Sequence, residues 1–376
     1  MAVKKELKIH NKSDKPDNII LKENEIMEKC QGIQDELPRF LNGFFVYLKG
    51  NVLPMTRLAY LQDIRFFCNY LIHETDLTRA KEIRNIRQDD FEQIKAADIN
   101  IFIDYCRRYK VEKEKAIYVY ENDKKSLARK KSSLSVLFKY LYRDELISRN
   151  ITDAFDPIKL PKPGEREIKA LQDDEVMRML DAVSTGSNLT KKEQEFWEKT
   201  KKRDKAILIL FLTYGLRLSE LQQLNISSFN FSRGEFKIYR KRGKESIMPL
   251  NKSVEKALAE YLNEERADGD KVTEENRDAL FLSLQGRRMT ERQIRELVKK
   301  YTSIGLSTSR NAGYSPHKLR ATTATSLIGR GNSIFDVQAL LDHESVTTTQ
   351  LYAAHKKNVK KDLVKNFEWE DEFDKK

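Results

Sequence analysis

Cysteine is scarce in this chain: three in 376 residues, at Cys30, Cys68 and Cys106, and never in a Cys-x-x-Cys pair. That count and scatter exclude a disulfide framework and a zinc site of the usual spacing, and they fit a reducing compartment. The expected location is therefore cytoplasmic. Long apolar runs are missing too. The longest, residues 206–212, is far short of the roughly 20 residues that cross a bilayer, so no membrane partner is expected. The opening MAVKKELKIHNKSDK has no apolar stretch of the secretory kind. No internal repeat is present.

The chain has enough length for two ordinary domains with real cores. Hydrophobic residues make up 39% and charged residues 34%, a composition that folds but carries a heavily charged surface. The net charge of +12 favours a polyanionic partner, nucleic acid before an acidic membrane surface.

Residues 1–34 are polar and mixed in charge, and read as a flexible lead-in. From Leu37 the period turns helical, with Leu37, Phe40, Leu41, Phe44, Phe45 and Leu48 recurring at three and four. A second amphipathic helix spans 56–72 on the stripe Leu58, Leu61, Ile64, Phe67 and Tyr70. Short helices are predicted at 89–94 and 98–109, and a long one at 126–146. The last turns Leu134, Leu137, Phe138, Leu141 and Leu146 inward and Arg129, Lys130 and Lys131 outward. No strand-like alternation stands out before residue 155, so 35–155 reads as an all-helical domain.

Three prolines and a glycine within 156–165 mark an extended connector, taken as a linker over 156–168. The second domain, 169–360, is predicted to hold a helix at 172–183 and a polar stretch at 184–202 that is an insertion or an exposed helix. A buried helix at 204–214 is stopped by Gly215, and another helix starts after Arg217. A β-hairpin at 235–240 and 246–250 brackets Lys241-Arg-Gly-Lys244, and helices follow at 254–264 and 291–301. The fold class is mainly α with a small β-sheet (α+β), closing on a polar tail at 361–376.

The chemistry gathers in a few places. Ser315-Pro316 is a helix start, which puts His317 and Arg320 three apart in a first turn, where free N–H groups favour an anion. Arg217 follows an apolar helix and a glycine, and its guanidinium can grip phosphate with two donors; Glu220, three residues on, can brace it. Lys241 and Lys244 sit in the hairpin turn, where a lysine can protonate a leaving oxygen. His343 follows a short amphipathic helix at 333–341, and Tyr352 lies nine residues later. Singly, each has an ordinary structural reading as a cap, a surface ion pair, a turn lysine or a core tyrosine. Together they suit attack by a phenol on a phosphodiester, with cations on the phosphate oxygens and imidazoles handling protons.

The order and spacing of this set resemble the tyrosine recombinases, the phage integrase and Xer group. Arg217 lies in Thr-Tyr-Gly-Leu-Arg-Leu-Ser-Glu-Leu, which resembles that family's first arginine motif. His317-Lys-Leu-Arg320, Leu341-Asp-His343 and Tyr352 are similar to its later boxes, and Lys241 stands where its hairpin lysine would. The resemblance covers about residues 35–360 and implies a helical core-binding domain followed by a catalytic domain. It implies that Tyr352 is the nucleophile of a 3′-phosphotyrosyl intermediate, that Arg217, Lys241, His317, Arg320 and His343 complete the catalytic set, and that Glu220 supports it. Neither metal nor cofactor is implied, there being no acidic cluster of the two-metal type.

Thr56, Tyr60 and Asp63, with Ala-Arg129-Lys130-Lys131-Ser132, are similar to the DNA-facing helices of the family's first domain. The expected DNA contacts are Thr56, Arg57, Arg129, Lys130, Lys131, Arg242 and Lys244. The implied partner is a double-stranded recombination site bound by a homo-tetramer, and an accessory DNA-binding protein is compatible with it. The tail's Leu363, Val364, Phe367 and Trp369 give it something to bury on a neighbouring protomer. Chromosome-dimer resolution and integration or excision of a mobile element fit equally.

Two departures stand out: Asp342 occupies the place of a family glycine, and 184–202 is longer than in compact Xer proteins. Two other readings remain. One is relaxation of the type IB topoisomerase kind. The other is a non-catalytic DNA-binding regulator, since 333–341 and 346–354 superficially resemble a helix-turn-helix.

Overall fold

The computed structural model describes residues 15–113, 116–160, 168–240, 243–266 and 271–342, and the chain divides into two compact units, Met1–Pro161 and Lys162–Lys376.

The first unit opens with α1 (Asp17–Glu36), where the sequence predicts a flexible lead-in. Its stripe is sparse: Ile19, Ile20, Cys30 and Ile33 are buried and Ile26 partly so, set among charged residues that hide the period. That stripe packs on α3 (Pro54–Glu74), which follows α2 (Asn42–Asn51) and begins with proline in its first turn. Then come α4 (Gln88–Glu92), α5 (Ala96–Tyr105) and α6 (Lys124–Arg143). One apolar core holds them, with Phe44, Phe67, Phe91, Phe102 and Phe138 fully buried among leucines. Asp123 caps α6 by accepting from the Ser126 N–H at 2.8 Å.

The unit is not all-helical. Between α5 and α6, β1 (Arg108–Lys113) and β2 (Ala116–Glu121) form an antiparallel ribbon, Tyr109 opposite Tyr120 and Val111 opposite Tyr118. Every residue of β2 is exposed, so no buried face imposes an apolar alternation for a sequence reading to find. Stacked rings hold the ribbon instead: Tyr109 lies 5.3 Å from Tyr120 and 5.8 Å from Tyr105.

A second correction concerns Lys130, expected to face outward. It is buried, because it continues the apolar stripe of α6 from Leu127 to Leu134. Its ammonium sits 3.3 Å from the buried Asp63 carboxylate and 4.5 Å from the centre of the Phe66 ring. Asp63 also receives Arg129 and the Ser133 hydroxyl, the latter at 2.7 Å. This hub ties α3 to α6 and fixes their register.

The second unit begins with α7 (Asp173–Thr185), closed by Gly186 in the left-handed conformation. The 184–202 stretch contains α8 (Lys191–Trp197) and is docked rather than loose. Trp197 is buried and donates its indole N–H to the Val183 carbonyl at 2.8 Å, while Glu193 pairs with Arg310 at 2.9 Å. Next comes α9 (Lys201–Tyr214), apolar on nearly every side and central to the unit, against α7, α11 (Lys252–Glu264) and α13 (Pro316–Gly329). The remaining helices are α10 (Leu218–Gln222), α12 (Glu291–Gly305) and α14 (Ile334–Leu341).

The predicted hairpin is present as part of a three-stranded antiparallel sheet, ordered β3 (Phe229–Asn230), β4 (Glu235–Tyr239), β5 (Glu245–Pro249). Phe211, Phe236, Tyr261, Tyr301 and Leu319 anchor the core. The Thr323 hydroxyl donates to the Phe211 carbonyl at 3.0 Å and so pins α13 to α9. Among the described residues, no helix is long and apolar enough to cross a membrane.

Candidate active site

The site is built where α9 ends. Gly215 takes φ +57°, a conformation that L side chains rarely adopt, and turns the chain sharply from α9 into α10. A Cβ there would stand 2.6 Å from Leu341 Cδ2, so that side chain would have to shift to admit one, while the φ itself favours glycine. The turn delivers Arg217 as the residue capping α10. Its backbone N–H donates to Glu220 Oε2 at 2.8 Å and its Nη1 to Oε1 at 2.6 Å. Glu220 is buried, so the guanidinium is oriented by a carboxylate shielded from water.

Arg320 lies on α13, whose first turn Ser315 and Pro316 open as predicted. It is 3% exposed and donates Nη1 to the Gly215 carbonyl at 2.7 Å and Nη2 to the Leu341 carbonyl. His317 is on the same helix three residues earlier and is exposed. Arg217 Nη2 donates to the Asp342 carbonyl at 2.9 Å. The two arginines, far apart in sequence, therefore meet at one place: the carboxyl end of α14.

A third arginine joins them, and the sequence reading missed it. Arg240, at the end of β4, is buried and donates Nη2 to the Leu340 carbonyl at 2.9 Å and Nη1 to the Leu341 carbonyl at 3.2 Å. Burial lowers its pKa from the ordinary arginine value, against the pull of Glu220 and Asp342. The signal was available: Phe236, Ile238 and Arg240 share the period-two inward face of the strand. It was obscured because Arg240 opens the run Arg-Lys-Arg-Gly-Lys, which reads as a solvated turn.

Asp342 explains the departure at the glycine position. It ends α14 with φ +50° and ψ +54°, the left-handed cap that glycine usually fills and that aspartate tolerates better than most residues. Its carboxylate faces the cations: Oδ1 is 3.3 Å from Lys244 Nζ and Oδ2 is 3.9 Å from Arg217 Nη1. A negative charge is thus already seated between two of the expected phosphate-binding groups.

Lys241, Arg242, His343 and Tyr352 lie outside the described residues. In the first unit, Arg129 is 45% exposed on its side chain and Thr56 is half-buried. Arg57 is buried, its Nε without a hydrogen-bond partner among the described residues. Lys131 donates to the Phe155 carbonyl at 3.2 Å and the Asp156 carbonyl at 2.5 Å. Neither Lys130 nor Arg57 is placed to offer a free cation. Among the described residues, no group of three or more His, Cys, Asp or Glu side chains could hold a metal.

The model of the phage integrase family matches residues 169–359, just over half of the chain. A tyrosine recombinase XerC of Natranaerobius thermophilus is 31% identical over 301 residues, covering 78% of this chain and 91% of that protein. A tyrosine recombinase XerC of Thermodesulfovibrio yellowstonii is 33% identical over 231 residues, 61% of this chain and 71% of that one. The crystal structure of XerH site-specific recombinase bound to a palindromic difH substrate has the same fold, with TM-score 0.56 at 17% identity, covering 83% of this chain and 78% of that one. A mainly helical protein with a small sheet, matching recombinases along most of its length, is an enzyme of DNA strand transfer. The chain belongs to the phage integrase family and is a tyrosine-type site-specific recombinase.

Proposed function

We propose that Tyr352 attacks the scissile phosphate and becomes linked to it as a 3′-phosphotyrosine, while Arg217 and Arg320 neutralise the charge growing on the phosphate oxygens. His317 takes up the phenol proton, His343 hydrogen-bonds the phosphate, and Lys241 protonates the departing 5′ oxygen. The bond energy is kept in the covalent link, so a 5′-hydroxyl from another strand reseals it without a nucleotide cofactor. The observation that carries this reading is the convergence of Arg217 and Arg320 on the carbonyls of Leu341 and Asp342, the two residues that precede His343. Relatives that are recombinases support strand exchange over supercoil relaxation or regulation.

The domains follow: 35–155, with α1 packed into the same core ahead of it, as the core-binding domain, 156–168 as the linker and 169–360 as the catalytic domain. The working form is a tetramer on two DNA sites in the cytoplasm, each 361–376 tail docked on a neighbour. Arg129, Arg242 and Lys244 meet DNA phosphates. Incubating the protein with a nicked suicide DNA duplex traps the covalent adduct, and Tyr352→Phe abolishes it. An adduct at wild-type yield in that variant would remove Tyr352 as the nucleophile.

A further inference from the structure

Arg240 does something that its neighbours do not. It follows β4 directly, buried in line with Phe236 and Ile238, and the next residue in the chain is Lys241. Its two terminal nitrogens hold the last two carbonyls of α14, and two residues beyond Leu341 comes His343. The turn itself is closed on Arg240: its N–H donates to the Lys244 carbonyl at 2.7 Å, and its carbonyl accepts from Gly243 at 3.1 Å. One residue therefore ends the strand, closes the turn and grips the helix end. A second link between these parts, Lys244 to Asp342, has its lysine side chain 71% exposed and is screened by water. The buried two-point grip of Arg240 is the stiffer one, because a planar guanidinium loses little freedom per bond formed.

We propose that Arg240 is a positioning residue of strand cleavage, fastening the turn that carries Lys241 to the helix end that leads into His343. It touches no reacting atom. It holds the base of the turn, so that the Lys241 ammonium meets the 5′ oxygen as the P–O bond breaks and the Tyr352–P bond forms. The inference rests on Lys241 being the proton donor. Positioning of this kind is worth up to about 100-fold when a group is displaced by about 1 Å.

The test separates positioning from folding and from the Lys241 assignment. A suicide duplex is made with sulfur in place of the 5′ bridging oxygen at the scissile phosphate. A thiolate leaves without being protonated, since a thiol is a far stronger acid than an alcohol, so the step no longer needs a donor. Single-turnover cleavage of the oxygen and sulfur duplexes is measured for wild type, Lys241→Ala, Arg240→Met and Arg240→Lys, with DNA affinity and melting temperature alongside. Arg240→Met is expected to slow cleavage of the oxygen duplex by about 10- to 100-fold with DNA affinity unchanged, and to recover to within about threefold of wild type on the sulfur duplex. Arg240→Lys, which keeps a buried cation but has a single donor nitrogen in place of two, is expected to show the same pattern more weakly, and it carries the test if Arg240→Met melts early. Equal slowing on both duplexes by a folded Arg240 variant, with Lys241→Ala rescued by sulfur, overturns the inference and leaves the Lys241 assignment standing. Lys241→Ala unrescued by sulfur overturns that assignment, and the inference with it.

Discussion

At the scale of single residues, Asp342 combines backbone strain with misplaced charge. A left-handed φ costs an L residue about 1–2 kcal/mol over glycine, and its carboxylate lies beside Arg217 and Lys244, two of the groups proposed to meet DNA phosphates. Asp342→Gly is therefore expected to leave the melting temperature unchanged or raise it. DNA affinity at fixed salt should tighten by about two- to fivefold, the worth of a partly exposed ion pair. Asp342→Asn separates the two effects, keeping the strain and losing the charge; affinity unchanged in both variants would show that the carboxylate does not compete.

Lys130 carries the opposite lesson. Removing it strips a partner from the buried Asp63, so Lys130→Ala is expected to cost about 1–3 kcal/mol of stability by denaturant titration. Its DNA affinity should change less than that of Arg129→Ala. Both residues were legible by spacing: Lys130 falls on the stripe of α6, and Arg240 falls on the inward face of β4. Runs of like charge concealed them, because a basic run reads as solvated whichever way each member points.

At the scale of elements, periodicity found what is buried on one side. α2, α3, α6, α7, α9, α11, α12 and α14 stand close to their predicted places, since each has an apolar stripe or an apolar run with a clear stop, and α13 starts where Ser315-Pro316 signals a helix. β1 and β2 escaped because no core selects their alternation, and α1 because its few isoleucines are spaced among charges. α8 falls in the stretch that reads as an insertion or an exposed helix for want of a stripe; it is a helix, docked through the Trp197 indole and the Glu193–Arg310 ion pair. Arg310 holds the Glu193 carboxyl down at about 2, from an ordinary 4.5. A lowered carboxylate pKa stabilises the fold above the unfolded value and loses that contribution as pH falls through the folded one. The pair's contribution is thus complete above pH 4.5 and fades between 4.5 and about 2. Glu193→Gln is expected to flatten the melting temperature against pH in that window and leave the curve's shape above pH 5 unchanged. An identical acid limb in both proteins would show that the pair adds nothing.

At the scale of the whole molecule, each unit has its own core. One is built from residues 30–155 and the other from 171–319, and no residue belongs to both. Separate cores unfold as separate cooperative units, so calorimetry of the full chain is expected to resolve two transitions. Point changes such as Phe138→Ala and Phe211→Ala should each move a different one. A single transition shifted by both changes would show one cooperative unit. The division was legible from the prolines and glycine at 156–165, and the family from the order of Arg217, His317 and Arg320. The way the second unit fastens its arginines was not, because it depends on main-chain oxygens that no side-chain pattern records.

Those oxygens have an evolutionary corollary. Arg217, Arg240 and Arg320 all clasp peptide carbonyls of residues 340–342 and are indifferent to which side chains the helix displays. Outward positions of α14, such as the exposed Phe335, are free to drift. Its length is not: one inserted residue would swivel the helix end by about 100° and leave three guanidiniums grasping at nothing.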